Sequence, residues 1–133
     1  MPLKVSVPIY YTIERKTKKS STHLVGDNWV RNLHYHTKNT VKQHYHITIT
    51  SSITPPPSPY KQFTLSFQIY YKNASCDPSN ILHQMEKYAL DAFKASGCII
   101  DDNCKHHMGT TMLPPIKDAS NPRCDIILSE YSL

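Results

Sequence analysis

A mixed α+β fold in a single domain is what this sequence predicts, on three observations. Residues 63–72, FTLSFQIYYK, alternate cleanly, with Phe63, Leu65, Phe67, Ile69 and Tyr71 on one face and Thr64, Ser66, Gln68, Tyr70 and Lys72 on the other. Residues 78–96 repeat Ile81, Leu82, Met85, Ala89, Ala92 and Phe93 at intervals of three and four, which is the apolar stripe of a helix packed on a sheet. The elements run strand, helix, strand, helix, strand, with no internal repeat, and 133 residues suit one domain over the whole chain.

In chain order, Leu3, Val5 and Val7 alternate with Lys4 and Ser6 as a first strand that Pro8 stops. Residues 10–26 read as polar and irregular. Trp29, Leu33, Val41 and Tyr45 fall at roughly helical spacings, and the spacing predicts a helix over about residues 34–49. The stretch ITPPPSPYKQ is an extended internal connection, proline-rich over residues 54–62, because proline cannot continue a helix and restricts the residue before it. After the alternating strand, Asp77 suits the N-cap, Pro78 the first helical position and Gly97 the residue just past the end. Residues 104–122, carrying Pro114, Pro115 and Pro122, read as a long loop, and RCDIILSE as the last strand.

The net charge of +5 favours a polyanion or an acidic membrane face as partner, nucleic acid first. No apolar run approaches the ~18 residues that span a bilayer, and MPLKVSVPIYYTIERK lacks the order of a signal peptide, so a cytoplasmic protein is expected. In that compartment Cys76, Cys98, Cys104 and Cys124 are expected as free thiols. With only Gly26, Gly97 and Gly109, neither a phosphate-cradling loop nor a dinucleotide fingerprint can be assembled, which argues against a nucleotide cofactor.

Two constellations could carry chemistry. Asp77, Asp101 and Asp102 flank the second helix, and gathered carboxylates bind a hard cation such as magnesium. A helix cap and a solvated turn account for the same residues, and spacing alone favours that account, since acidic helix starts and turns are routine. A helix over residues 78–96 is about 28 Å long, and the chain from Gly97 to Asp102 returns at most about 18 Å, so these carboxylates meet only if a second subunit brings them together. A two-fold dimer with antiparallel helices would set Asp77 of one chain near Asp102 of the other, twice. Lys87 and Asp91 stand at i and i+4, and spacing alone favours an ordinary surface ion pair over a Lys87 that faces a scissile phosphate.

The other constellation is basic: Arg15, Lys16, Lys18, Lys19, Arg31, Lys38 and Lys42, with His34, His36, His44 and His46, interleaved with Trp29, Tyr35 and Tyr45. Cations neutralise phosphates and aromatic faces stack on exposed bases, so the mixture suits branched or unpaired nucleic acid, with a solvated basic face as the competing account. Zinc on Cys98, Cys104, His106 and His107, or on His44 and His46, fits poorly, because structural zinc prefers closely spaced ligand pairs. No serine or cysteine triad stands out.

Over residues 63–130 the chain resembles the RusA-like Holliday junction resolvases of phages and prophages. The resemblance rests on FTLSFQIYY, the opening Asp77-Pro78-Ser79-Asn80, Lys87, Asp91-Ala92-Phe93, Gly97 and Asp101-Asp102, and on HHMGTTMLPPIKDASNPRCDIIL, with His106 in a recurrent place. DNWVRNLHYH is more weakly similar to the family's N-terminal region. The resemblance implies a sheet of about four strands packed against two helices in an intertwined homodimer. It also implies magnesium-dependent cleavage of four-way DNA junctions, with manganese as substitute, in phage recombination or repair within the bacterial cytoplasm. Asp77 and Asp102 would be catalytic and metal-binding with Asp101 beside them, Lys87 the helix lysine, and Asn80, Asp91 and His106 supporting. Lys16, Lys18, Lys19, Arg31, His34, Lys38 and Lys42 would contact DNA. Ser79 stands where the family has a second aspartate, which leaves a non-catalytic junction binder with a degenerate site as the alternative.

Overall fold

The computed structural model describes residues 2–132. Its elements are β1 (Leu3–Pro8), β2 (Tyr10–Ile13), β3 (Ser21–Leu24), α1 (Asp27–Arg31), α2 (Tyr35–Ser52), β4 (Phe63–Tyr71), α3 (Pro78–Ala95), β5 (His107–Met112), β6 (Ile116–Lys117) and β7 (Arg123–Glu130). The main sheet has the order β1-β7-β4-β5, with the two-residue β6 pairing further along β4, and β2 and β3 form a separate hairpin. Strand β7 runs antiparallel to β1 and β4, whereas β5 and β6 run parallel to β4. Helix α3 is therefore the crossover of a parallel β4-α3-β5 unit.

The alternation in β4 sets the core. Leu65, Phe67 and Ile69 stand opposite Leu128, Ile126 and Cys124 of β7, and the last two face Val5 and Val7 of β1. All are buried, and α2 and α3 close over this face with Val41, Tyr45 and Ile49 from one and Ile81, Met85, Ala89, Ala92 and Phe93 from the other. Each large side chain sequestered there stabilises the fold by about 1.5–3 kcal/mol relative to exposure. The Tyr45 and Tyr88 rings stack at 4.9 Å where the helices meet, and the Tyr45 hydroxyl donates to the Pro8 carbonyl at 2.5 Å.

Helix α3 begins and ends as its sequence predicts. The Asp77 carboxylate accepts from the Ser79 amide at 3.0 Å with Pro78 next in the chain. At the other end Gly97 takes φ +80° and Cys98 N–H donates to Phe93 C=O at 2.9 Å, so the orphan carbonyls of the last turn are used.

Three expectations need correction. Residues 10–26 are not irregular: β2 and β3 pair from Tyr10↔Leu24 to Ile13↔Ser21. Their base is pinned by an aromatic group that local pattern does not reveal, with His23 stacked on Trp29 at 4.9 Å and Tyr11 edge-on to His44 at 5.2 Å. The 104–122 stretch is not all loop, because the β4 backbone recruits β5 and β6; β5 is largely exposed and polar, so no alternation marks it. Helix α2 runs three residues past 49, to Ser52. Its hydroxyls turn inward on the helix, with Thr48, Thr50, Ser51 and Ser52 donating to carbonyls four residues back, and it stops at the extended Ile53 ahead of the prolines.

No helix among the described residues is long and apolar enough to cross a membrane. All four cysteines are free, with Cys98 and Cys124 buried.

Candidate nucleic-acid interface

The short helix α1 is absent from the sequence reading, yet it builds the site. Asn80, in the first turn of α3, accepts the Asn28 amide on Oδ1 at 2.9 Å and so holds the start of α1 against α3. Gly26 makes the approach possible, because a Cβ there would lie 2.2 Å from Asn80 Nδ2. This contact gives Asn80, expected as a supporting residue, a positioning role.

The docked α1 brings Asp27 over the middle of α3. Its Oδ2 lies 3.2 Å from His83 Nδ1 and its Oδ1 4.0 Å from Lys87 Nζ. Lys87 therefore reaches across to α1 and does not pair with Asp91 on its own helix. Between α1, α2 and α3 opens a cleft of about 410 Å³. Arg31, Lys38, Lys42 and Lys87 bring four cations to its walls and Asp27 and Asp91 two acids, with Val30, Gln84 and Tyr88 beneath. Neither Lys38 nor Lys42 forms an ion pair among the described residues, so the cleft keeps net positive charge. Asp27 Oδ1 is buried there with Lys87 as its counter-charge, and the Tyr88 hydroxyl is buried beside the Gln84 side chain. Burial raises Tyr88 to about 12, with Gln84 countering part of the effect and the Asp27 charge adding to it.

The predicted carboxylates are placed differently. Asp77 follows the carboxyl end of β4, and Asp101 and Asp102 lie at its amino end, where Tyr60 N–H donates to Cys98 C=O and Phe63 N–H to His106 C=O. Nine residues of strand separate the two ends by about 26 Å. One chain therefore cannot bring Asp77 and Asp102 onto a single ion. Asp101 Oδ1 accepts the Asp102 amide at 2.8 Å and pairs with Lys94 at 3.2 Å, and its Oδ2 accepts from Asn103 at 3.3 Å. The Asp102 amide first and Lys94 next hold Asp101 below the usual carboxylate range. Asp102 and Asp77 are exposed. Among the described residues no group of three or more His, Cys, Asp or Glu side chains could hold a metal ion. The donor chemistry suits magnesium, but the donors of one chain do not converge on it.

The remaining residues divide by neighbourhood. Lys16, Lys18 and Lys19 are exposed on the turn that joins β2 to β3, while Arg31, Lys38 and Lys42 line the cleft. His34 caps α2, its Nδ1 accepting the His36 amide at 3.3 Å, and stacks with the exposed Tyr35. Tyr45 is fully buried and Trp29 lies against His23, so neither offers a face for bases; Tyr35, 61% exposed, does. His106 donates from Nδ1 to Lys61 C=O at 2.6 Å, and His107 stacks on Phe63 at 4.9 Å, so both support the start of β4. Ser79 gives α3 its capped amide.

The missed site had a signal. Asn80, His83, Gln84, Lys87, Tyr88 and Asp91 recur at three and four, a polar stripe beside the apolar one, and a polar stripe with its own period needs a partner. Asp77 heads that stripe at the start of the helix. No family model matches the chain, and no curated protein matches it.

Proposed function

We propose that this chain is a magnesium-dependent, structure-specific endodeoxyribonuclease that cleaves four-way DNA junctions in recombination or repair, with each cutting site completed between two chains. The observation that carries the reading is the layout of charge along α3: an exposed carboxylate at each end, and between them a cleft where four cations face two acids. The cationic cleft suits the phosphate backbone. The RusA-like order of elements over residues 63–130 supports the same reading.

The separation of Asp77 from Asp102 makes a second chain part of the proposal. An antiparallel pairing of two α3 helices would bring unlike ends together twice and so give paired incisions. Ile100, 47% exposed beside Asp101, and the open edge of β5, with Met112 40% exposed, are apolar features that a partner chain would cover. Asp77 and Asp102 are the metal-binding pair in this reading, since Asp101 is already held by Lys94. Lys87 serves with the cleft lysines in binding phosphate, because it lies ten residues along α3 from Asp77, about 15 Å.

A second reading, a junction-binding protein without cleavage, is favoured by Ser79 in place of an aspartate and by the engagement of both Asp101 oxygens. Labelled synthetic four-way junctions and matched linear duplex, incubated with magnesium or EDTA, separate the two. Symmetric nicking of the junction that requires magnesium and is lost in Asp102→Asn supports the endonuclease. Tight binding with no cutting in magnesium or manganese selects the binder.

A further inference from the structure

Strand β5 ends the main sheet, and among the described residues no strand pairs with its outer side. Leu113 N–H, just past the strand, donates to Phe67 C=O at 2.8 Å, and the register with β4 runs unbroken from Gly109 to Met112. Backbone groups alternate sides along a strand, so the N–H and C=O of Thr110 and Met112 point away from β4, with Met108 in the same phase. Natural sheets guard such an edge with charge or proline, and β1 at the far edge carries Lys4 and Pro8. Strand β5 carries neither: HMGTTM has no charged residue other than His107 and no proline, and Gly109, Thr110, Thr111 and Met112 are exposed.

The strand is complementary to itself. Antiparallel pairing with β5 of a second copy, centred on Thr110, sets Thr110 against Thr110 and Met108 against Met112 twice. These are the residues whose backbone turns outward, so three pairs exchange about six hydrogen bonds. Thr110 and Met112 stand beside Leu65 and Phe67, on the face that the helices cover, so the methionines meet next to α3 with no like charges opposed. The Thr110 hydroxyl is held by Glu86 at 2.6 Å with His107 Nε2 at 2.8 Å, which leaves the Thr110 backbone free for the partner. The pairing also orients α3. As the crossover from β4 to β5, α3 runs antiparallel to its two-fold copy, and Asp77 of one copy comes to the end that carries Asp102 of the other.

We infer that β5 is the strand through which this protein associates with a second copy, joining β1-β7-β4-β5 and its two-fold mate into one continuous sheet. The occupant is argued from the strand itself; that the pairing completes two metal sites rests on the nuclease reading above.

Sedimentation measures the mass of the wild type, of Met108→Lys with Met112→Lys, of Met108→Glu with Met112→Glu, and of an equal mixture of the two variants. Junction cutting in magnesium is read on the same wild-type sample. The wild type should sediment at twice the 15.3 kDa of one chain. Each variant should dissociate about tenfold or more readily, because like charges stand opposite twice, and the mixture should regain the dimer because lysines then face glutamates. Hydrogen exchange on the wild type needs no variant: the Thr110 and Met112 amides should be protected in the dimer and exchange about tenfold faster on dilution to monomer. Dimers indifferent to both variants, or free exchange at Thr110 and Met112 within the dimer, overturn the β5 pairing and leave the nuclease reading with another interface. A wild type that stays monomeric overturns the pairing as well, and cutting by that monomer leaves the nuclease reading without a shared site. A dimer that meets every expectation and cuts no junction supports the pairing and overturns the nuclease reading.

Discussion

Replacing Gly26 by alanine tests how the site is assembled. Gly26 has φ −142° and ψ 171°, an extended conformation open to any residue, so the backbone itself does not resist alanine. Space does: the new Cβ would lie 2.2 Å from Asn80 Nδ2 and 2.8 Å from its Cγ, and the amide must turn away. Turning it gives up the 2.9 Å bond from the Asn28 amide, one of the donors that a helix start leaves unpaired. The lost bond costs about 1 kcal/mol and the forced rearrangement at least as much again, so Gly26→Ala is expected to destabilise the fold by about 2 kcal/mol. Asn80→Ala alone should cost about 1 kcal/mol, the bond without the clash. In the double variant the space is open, and alanine at 26 should cost nothing further, or return a few tenths by restricting the unfolded chain. Urea unfolding of the four proteins measures the cycle, with an expected coupling of about 2 kcal/mol. Additive penalties, or a silent Gly26→Ala, would refute the claim that this contact docks α1 on α3.

Other expectations follow from the same structure. Tyr45→Phe should lower stability by about 1–2 kcal/mol in urea unfolding, because it leaves the Pro8 carbonyl without its donor. Burial pushes the Cys124 thiol from its ordinary 9.0 up to about 12, with Asp125 adding, and Tyr88 from 10.0 up to about 12. Folded pKa values above the unfolded ones mean stability that is full below pH 9 and lost as pH rises toward about 12, more steeply above 10; Cys124→Ala and Tyr88→Phe should each flatten the decline in denaturation midpoint. If Lys38 and Lys42 each contact one phosphate, replacing both by alanine should reduce the slope of log affinity for DNA against log salt by about 2. An unchanged slope would remove the cleft from the DNA path.

What the sequence disclosed and what it withheld divide along one physical line. Elements whose own residues carry the instruction were readable: β4 by strict alternation, and α3 by Asp77, Pro78, the apolar stripe and Gly97. Elements that exist because something else holds them were not. Strand β5 has no buried alternation and is ordered by parallel pairing to β4, and the β2–β3 hairpin is ordered by rings from α1 and α2. The site behaves alike. Lys38, Lys42 and Lys87 were singled out by charge, but their convergence depends on Asn80 and Gly26, a contact across more than fifty residues that no local pattern encodes. Asp27 carries no local signal for the same reason: its partners His83 and Lys87 lie more than fifty residues away. The separation of Asp77 from Asp102 was foreseeable from helix length alone, and β4 gives it a second measure.

That separation sets the most direct test of the central claim, that one site takes Asp77 from one chain and Asp102 from another. Asp77→Asn and Asp102→Asn are purified separately, assayed alone on labelled junctions with magnesium, then mixed, allowed to exchange subunits and assayed again. In a mixed pair one site carries both substitutions and the other carries neither, so random exchange should restore about a quarter of the wild-type sites from two inactive proteins. Cutting that stays absent after exchange, with mixed pairs shown to have formed, would contradict a site shared between two chains.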